Sequence, residues 1–173
     1  MGKITYQHGD ITKINDVDAI CHQVNCLTVK AHGLSSKIAF TYPWADIYSK
    51  RKAIGMRNLA TEHTRGVPGN IVIYNNHSGF HVVCMQAQWE YGKCYQSYRQ
   101  RIKPYFDTPD QRLQWFKECL NALGQREDLK KLAFPEKIGC GLGGGHWPTY
   151  LSLIENFATL FDKHVIIIVY NRI

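Results

Sequence analysis

The chain has 173 residues, 45% hydrophobic and 20% charged, which fits a single domain spanning 1–173 that can bury a core without staples. Its formal charge of +7 favours phosphorylated or polyanionic partners, although many basic proteins merely have a well-solvated surface. Six cysteines without a CxxC pair or zinc-site spacing predict buried thiols in a reducing, cytoplasmic setting. No apolar stretch follows Met1, and the longest apolar run, Val165–Tyr170, is too short to span a bilayer. Neither a signal peptide, a membrane anchor nor a membrane partner is therefore expected.

Strand-like and helix-like segments alternate without repeats or linkers, which predicts an α/β layered domain. Lys3–His8 reads as a first strand. Ala19–Asn25 alternates, with Ile20, His22 and Val24 on one face and Cys21, Gln23 and Asn25 on the other. Leu34–Tyr42 predicts a short helix stopped near Pro43; Asn70–Tyr74 and His81–Met85 predict two more strands. A longer helix is signalled by Thr108 as its cap, Pro109 in first position and Gln111 completing a capping box. Leu113, Phe116, Leu120 and Leu123 form its apolar stripe, and Gly124 is expected to end it. After a brief strand at Leu132–Phe134, Pro148 starts a last helix with Leu151, Ile154, Ala158 and Phe161 toward the core. His164–Tyr170, almost continuously apolar, fits a strand covered on both faces. A mixed sheet with helices on both sides follows.

Residues 137–148 read KIGCGLGGGHWP, with five glycines among the seven positions 139–145. Glycine lets backbone N–H groups converge without a Cβ in the way. At a helix N-terminus such a nest attracts phosphate, so Gly139–Gly145 predicts a diphosphate-binding loop; a merely flexible turn is the plainer alternative. The segment matches GxGxxG, but a dinucleotide fingerprint opens the first βαβ unit and is followed by an acidic strand end. Only one helix and one strand remain here, ending in Tyr170-Asn171. No Gly-Lys-Ser/Thr follows, which excludes a Walker loop.

Three other segments accompany this loop: Gly9-Asp10-Ile11-Thr12 after the first strand, Ile20–Cys26 (ICHQVNC), and Val29–Ser35 (VKAHGLS) entering a helix. In this order and spacing the sequence resembles a macro domain over essentially its full length. The resemblance implies a three-layer α/β/α sandwich with a six-stranded mixed sheet and an ADP-ribose cleft at the strand ends. It implies that Asp10 accepts a hydrogen bond from the adenine amino group, with Ile11 beside it. A helix or turn cap is the alternative for Asp10. It also implies that Asn25 contacts the distal ribose, where its amide offers both donors and acceptors; a turn role is the alternative. Val29, His32, Gly33, Leu34 and Ser35 would grip the diphosphate from one side. Gly139, Cys140, Gly141, Leu142, Gly143 and Gly144 would grip it from the other. Tyr170 and Asn171 would line the adenine pocket, unless Tyr170 is core.

Ala31-His32-Gly33-Leu34 lacks the aspartate that one group of macro-domain hydrolases carries in the first loop. Val82–Gln86 lacks the strand lysine of another group, and Gly143 stands where that group has an aspartate. The His22…Asn25-Cys26 strand, Tyr42-Pro43 and the GLGGGHW stretch instead resemble yeast-type ADP-ribose 1''-phosphate phosphatases and their viral and phage relatives. That resemblance implies a catalytic role for His22 beside an acidic residue the sequence does not identify. Asn25 and His32 are further catalytic candidates, and His146 flanks the second loop. A histidine bonded within the sheet is the alternative for His22, and surface or capping roles are the alternatives for His32 and His146. A reader of ADP-ribose without activity is the alternative function. No metal or other cofactor is expected.

Trp89–Phe106 interleaves Lys93, Arg99, Arg101 and Lys103 with six aromatics and one acid, Glu90. Lys50-Arg51-Lys52 and Arg57 add a second basic stretch. Such a pattern can stack on single-stranded nucleic acid, or form a rim admitting an ADP-ribosylated macromolecule. A solvated insertion with buried aromatic anchors is the alternative.

Overall fold

The computed structural model describes residues 1–94 and 102–171. Its strands are β1 (Lys3–His8), β2 (Ala19–Asn25), β3 (Ile71–Asn75), β4 (His81–Gln88), β5 (Lys131–Pro135) and β6 (His164–Val169). They form one sheet in the order β1-β6-β5-β2-β4-β3. Every neighbouring pair is parallel except β3 with β4, so the sheet is mixed and six-stranded. Parallel strands end on a common edge. The loops after β1, β2, β4, β5 and β6 therefore meet there, where open α/β sheets place their ligand crevice.

Alternation along the strands feeds two cores. Ala19 and Cys21 of β2 and Val83, Met85 and Ala87 of β4 pack under α2 (Pro109–Gly124) and α3 (Trp147–Leu160). Ile20 and Val24, with Val82 and Cys84, face α1 (Gly33–Thr41) and the short 3₁₀ turns that follow it. This is the α/β/α sandwich. Among the described residues, no helix is long and apolar enough to cross a membrane.

Local signals hold at the long elements. Thr108 caps α2 by accepting from the Gln111 amide, with Pro109 in the first turn. The buried stripe of α2 differs from the expected one, because it includes Arg112, Trp115 and Cys119, while Leu113 is only half-buried. In α3, Tyr150 and Phe157 are buried with Ile154 and Ala158, and Leu151 is only half-buried. α2 ends at Gly124 as expected, though without a left-handed turn. The requirement for glycine is closeness: a Cβ there would meet the Phe161 ring at 2.4 Å. Gly124→Ala should therefore destabilise the fold by about 1–3 kcal/mol through overpacking, read as a lower urea midpoint with an unchanged slope. An unchanged midpoint contradicts this packing.

Candidate functional site

A cleft of about 520 Å³ opens on the common strand edge. Its walls are the loop entering α1 and the glycine loop after β5, and its floor comes from β2 and β4. The walls approach each other closely. Gly33 has φ +55, and a Cβ on it would stand 2.9 Å from Leu142 Cδ1. Both the backbone conformation and the tight fit ask for glycine.

The two walls present amides. Among the described residues, the N–H groups of Gly139, Gly141, Leu142 and Gly143 have no protein acceptor, whereas those of Cys140, Gly144 and Gly145 bond to Lys137, Gly141 and Gly139 carbonyls. The continuous run of open amides in the expected nest is therefore Gly141–Gly143. Gly144 lines a separate cavity on the outer side of the loop, with Lys93 and His146. Opposite, α1 starts at Gly33 without a side-chain cap, leaving first-turn amides of Gly33, Leu34 and Ser35 open for an anion. Val29 is not part of this wall; its amide, with that of Lys30, donates to Asn58 Oδ1 at 2.9 and 3.1 Å. His32 precedes α1 and stacks on Tyr91 across the cleft, with ring centroids 5.4 Å apart and planes at 23°.

The floor is polar and closely bonded. Asn25 Oδ1 accepts from the amides of Leu27 (3.0 Å) and Thr28 (2.9 Å) and from Thr28 Oγ1 (3.1 Å). The turn role is thus real, and Nδ2 also donates within it, to Thr28 Oγ1 at 3.0 Å and to Tyr48 Oη at 3.5 Å. Tyr48 Oη accepts from the Asn25 amide at 3.1 Å. Behind them, buried Arg51 donates to the carbonyls of Thr28 (2.9 Å) and Asn25 (2.7 Å). It holds the turn and is not part of a basic surface stretch. His22 is 3% exposed, with Nδ1 2.9 Å from Ser35 Oγ and Nε2 3.4 Å from Cys84 Sγ. Burial pulls its pKa down to about 4, because the imidazolium would lose its hydration. His22 is therefore neutral at pH 7 and a weaker base than a solvated histidine. The carboxylate that sequence left unplaced has one candidate in the lining, Glu136, just past β5.

Arg112, missed by the sequence reading, joins the walls. It is 3% exposed and donates from Nε to Asp107 Oδ1 at 2.9 Å. Its Nη1 donates to the carbonyls of Gly92 (2.6 Å) and Gly143 (3.0 Å), and Nη2 to that of Glu90 (3.0 Å). Asp107 in turn accepts from the amides of Trp89 and Glu90 at 2.9 and 2.8 Å. The signal was present: positions 112, 116, 119 and 123 share one helical face, of which only the apolar members were counted.

Asp10, Ile11, Tyr170 and Asn171 gather at the ends of β1 and β6, beside the cleft rather than in its lining. Asp10 caps a 3₁₀ turn, with Oδ1 accepting from Thr12 N (2.9 Å) and Thr12 Oγ1 (2.7 Å). The Thr12 hydroxyl lowers its pKa and keeps it ionised. Ile11 is core. Tyr170 is not core: it is 55% exposed, with the Lys37 ammonium 4.6 Å from its ring centre. Asn171 Oδ1 bonds His8 Nδ1 at 2.9 Å. His146 bonds Thr149 at the start of α3. In the basic–aromatic segment, Trp89 is buried and donates to the Ile102 carbonyl at 2.6 Å. Tyr105 packs edge-on against Trp89 and Trp115, so these rings serve as anchors. Arg99 and Arg101 lie outside the described residues.

Two outcomes follow from the buried polar groups. Asp107→Ala strands the Arg112 guanidinium and should cost about 3–5 kcal/mol of stability by urea unfolding; a loss below 1 kcal/mol contradicts the staple. His22, neutral in the fold, gains a proton more readily when unfolded. Its contribution is complete above about pH 6.5 and is lost as the pH falls toward about 4. The gap corresponds to about 3 kcal/mol. A His22→Gln variant should therefore lose less stability than the parent between pH 7 and pH 4, and parallel stability curves contradict the shift.

No family model and no curated protein matches the sequence. Solved structures do match. The macrodomain of Mycobacterium tuberculosis DarG is 21% identical with a TM-score of 0.67, covering 100% of both chains. That of Thermus aquaticus DarG is 18% identical with a TM-score of 0.67, over 99% of this chain and 100% of its own. An Oceanobacillus iheyensis macrodomain with MES bound is 19% identical with a TM-score of 0.57, over 95% and 82%. Sheet, layers and near-complete coverage agree: this chain has the macrodomain fold.

Proposed function

We propose that the cleft binds ADP-ribose and that the chain removes the terminal phosphate of ADP-ribose 1''-phosphate. The observation that carries binding is the pair of amide walls, Gly33–Ser35 and Gly141–Gly143, facing one cleft. Amide donors with helix-dipole support suit a diphosphate. Asn25 and Tyr48 line the polar floor on which a ribose would sit. Tyr170, Asn171 and the ionised Asp10 lie where the cleft meets the sheet edge, suited to an adenine. Hydrolysis is supported by His22, which lines the same cleft with a hydroxyl beside it.

A second reading, a non-enzymatic reader of ADP-ribose or of an ADP-ribosylated macromolecule, is favoured by one feature. Glu136 is the single carboxylate in the described lining, and general acid–base chemistry usually uses more than one titratable group.

Isothermal calorimetry with ADP-ribose should show one-to-one binding, and Gly33→Val should weaken it at least about tenfold, or 1.4 kcal/mol, by forcing the walls apart. Absence of binding by the parent protein removes both readings. Binding together with release of inorganic phosphate from ADP-ribose 1''-phosphate supports the phosphatase; binding with no release supports the reader.

A further inference from the structure

The first turn of α1 carries a hydroxyl that the proposed chemistry has not yet used. Ser35 is 8% exposed, lines the cleft, and sits with Oγ 2.9 Å from His22 Nδ1. His22 is held from its other side by Cys84 Sγ at 3.4 Å. Burial pushes that thiol up to about 12, so it stays protonated and does not compete as a thiolate. Tyr48 lines the same floor, its oxygen accepting from the Asn25 amide. Nucleophile, base and a group orienting the base are thus in reach of one another, the arrangement that hydroxyl nucleophiles require.

We propose that Ser35 is the nucleophile of this cleft, with His22 as its base, and that it takes the phosphoryl group of a ribose phosphate monoester. The proposal rests on the phosphatase reading above. Three features carry it beyond proximity. Ser35 lies in a helical first turn with no side-chain cap, so free amides surround the point where the oxygens of a phosphoryl group would lie. The glycine loop offers three more amides from the facing wall. Burial makes His22 a weak base, but an entering phosphate dianion favours the imidazolium and raises its basicity. Substrate itself therefore completes the pair.

The steps balance without an added reagent. Ser35 Oγ attacks phosphorus and the bond from phosphorus to the ribose oxygen breaks. The Ser35 proton passes to His22 Nδ1 and from there to the departing ribose oxygen. Water then attacks the phosphoserine, giving one proton through His22 to Ser35 Oγ as inorganic phosphate leaves. The sum is monoester plus water giving ribose hydroxyl plus phosphate.

The test uses the full chain with ADP-ribose 1''-phosphate, quenched in acid during turnover, with peptide mass spectrometry and phosphate release read together. The parent should carry phosphate on Ser35. Ser35→Ala should release phosphate at least about 10³-fold more slowly with its thermal midpoint retained, and Ser36→Ala, at the exposed next position of α1, should match the parent. Phosphate release by Ser35→Ala within tenfold of the parent, with no phosphoserine, overturns the nucleophile and leaves the phosphatase standing. A parent that binds ADP-ribose but releases no phosphate overturns both.

Discussion

A guanidinium buried with one carboxylate and three carbonyls around it is the constraint on which the cleft depends. Arg112 rises from the first turn of α2, beside the strand edge that carries the cleft. Its fork of donors reaches the 90–92 segment and Gly143 together. Glycine-rich backbone has many accessible conformations and loses much entropy when ordered. A loop with five glycines in seven positions needs an external fixture to present its amides in one arrangement, and Arg112 supplies it with rigid planar geometry that a lysine would lack. Asp107 neutralises the charge and also accepts from Trp89 and Glu90. The same pair thus orients Tyr91, whose ring meets His32 on the opposite wall.

This arrangement changes what the basic composition means. Two of the arginines nearest the cleft, Arg51 and Arg112, are engaged with backbone carbonyls and organise its turn and its loop. In the proposed function, attraction for a diphosphate would come instead from oriented amides on two walls, which require no side-chain ordering when the ligand arrives. The net positive field adds long-range steering rather than contacts. Beneath the amides lies an uncharged hydrogen-bonded layer of Asn25, Tyr48, Ser35 and His22. A neutral floor under cationic partial charges avoids repelling an anionic ligand, and burial keeps His22 in that neutral form.

Much of this was legible in the sequence, and the exceptions have physical causes. β2 sends Ala19 and Cys21 to one core and Ile20 and Val24 to the other, because period-2 burial on a two-sided sheet leaves no second register; β1 keeps its expected bounds with most of its residues exposed. The cap of α2 was visible because Thr108, Pro109 and Gln111 act locally. The glycine loop was visible as a loop between β5 and α3, but which of its amides stay free depends on the bonds within it, and those leave Gly139 and the run Gly141–Gly143. Arg112 escaped notice because a charge on a helix is normally assigned to solvent, and its partner carbonyls are distant in sequence. Ser35 and His22, thirteen positions apart, become neighbours only when α1 folds back over β2. Tyr170 was expected to be core if not ligand-lining, yet chain direction carries it past the sheet edge into solvent, where Lys37 meets its ring.

The central claim is that two amide walls hold one diphosphate. A crystal structure with ADP-ribose bound tests it most directly. The account predicts diphosphate oxygens within about 3.2 Å of the amides of Gly141–Gly143 on one side and of Gly33–Ser35 on the other. It further predicts the distal ribose over Asn25 and Ser35. A diphosphate bound outside these walls, or held by lysine and arginine side chains with the amides left free, contradicts it.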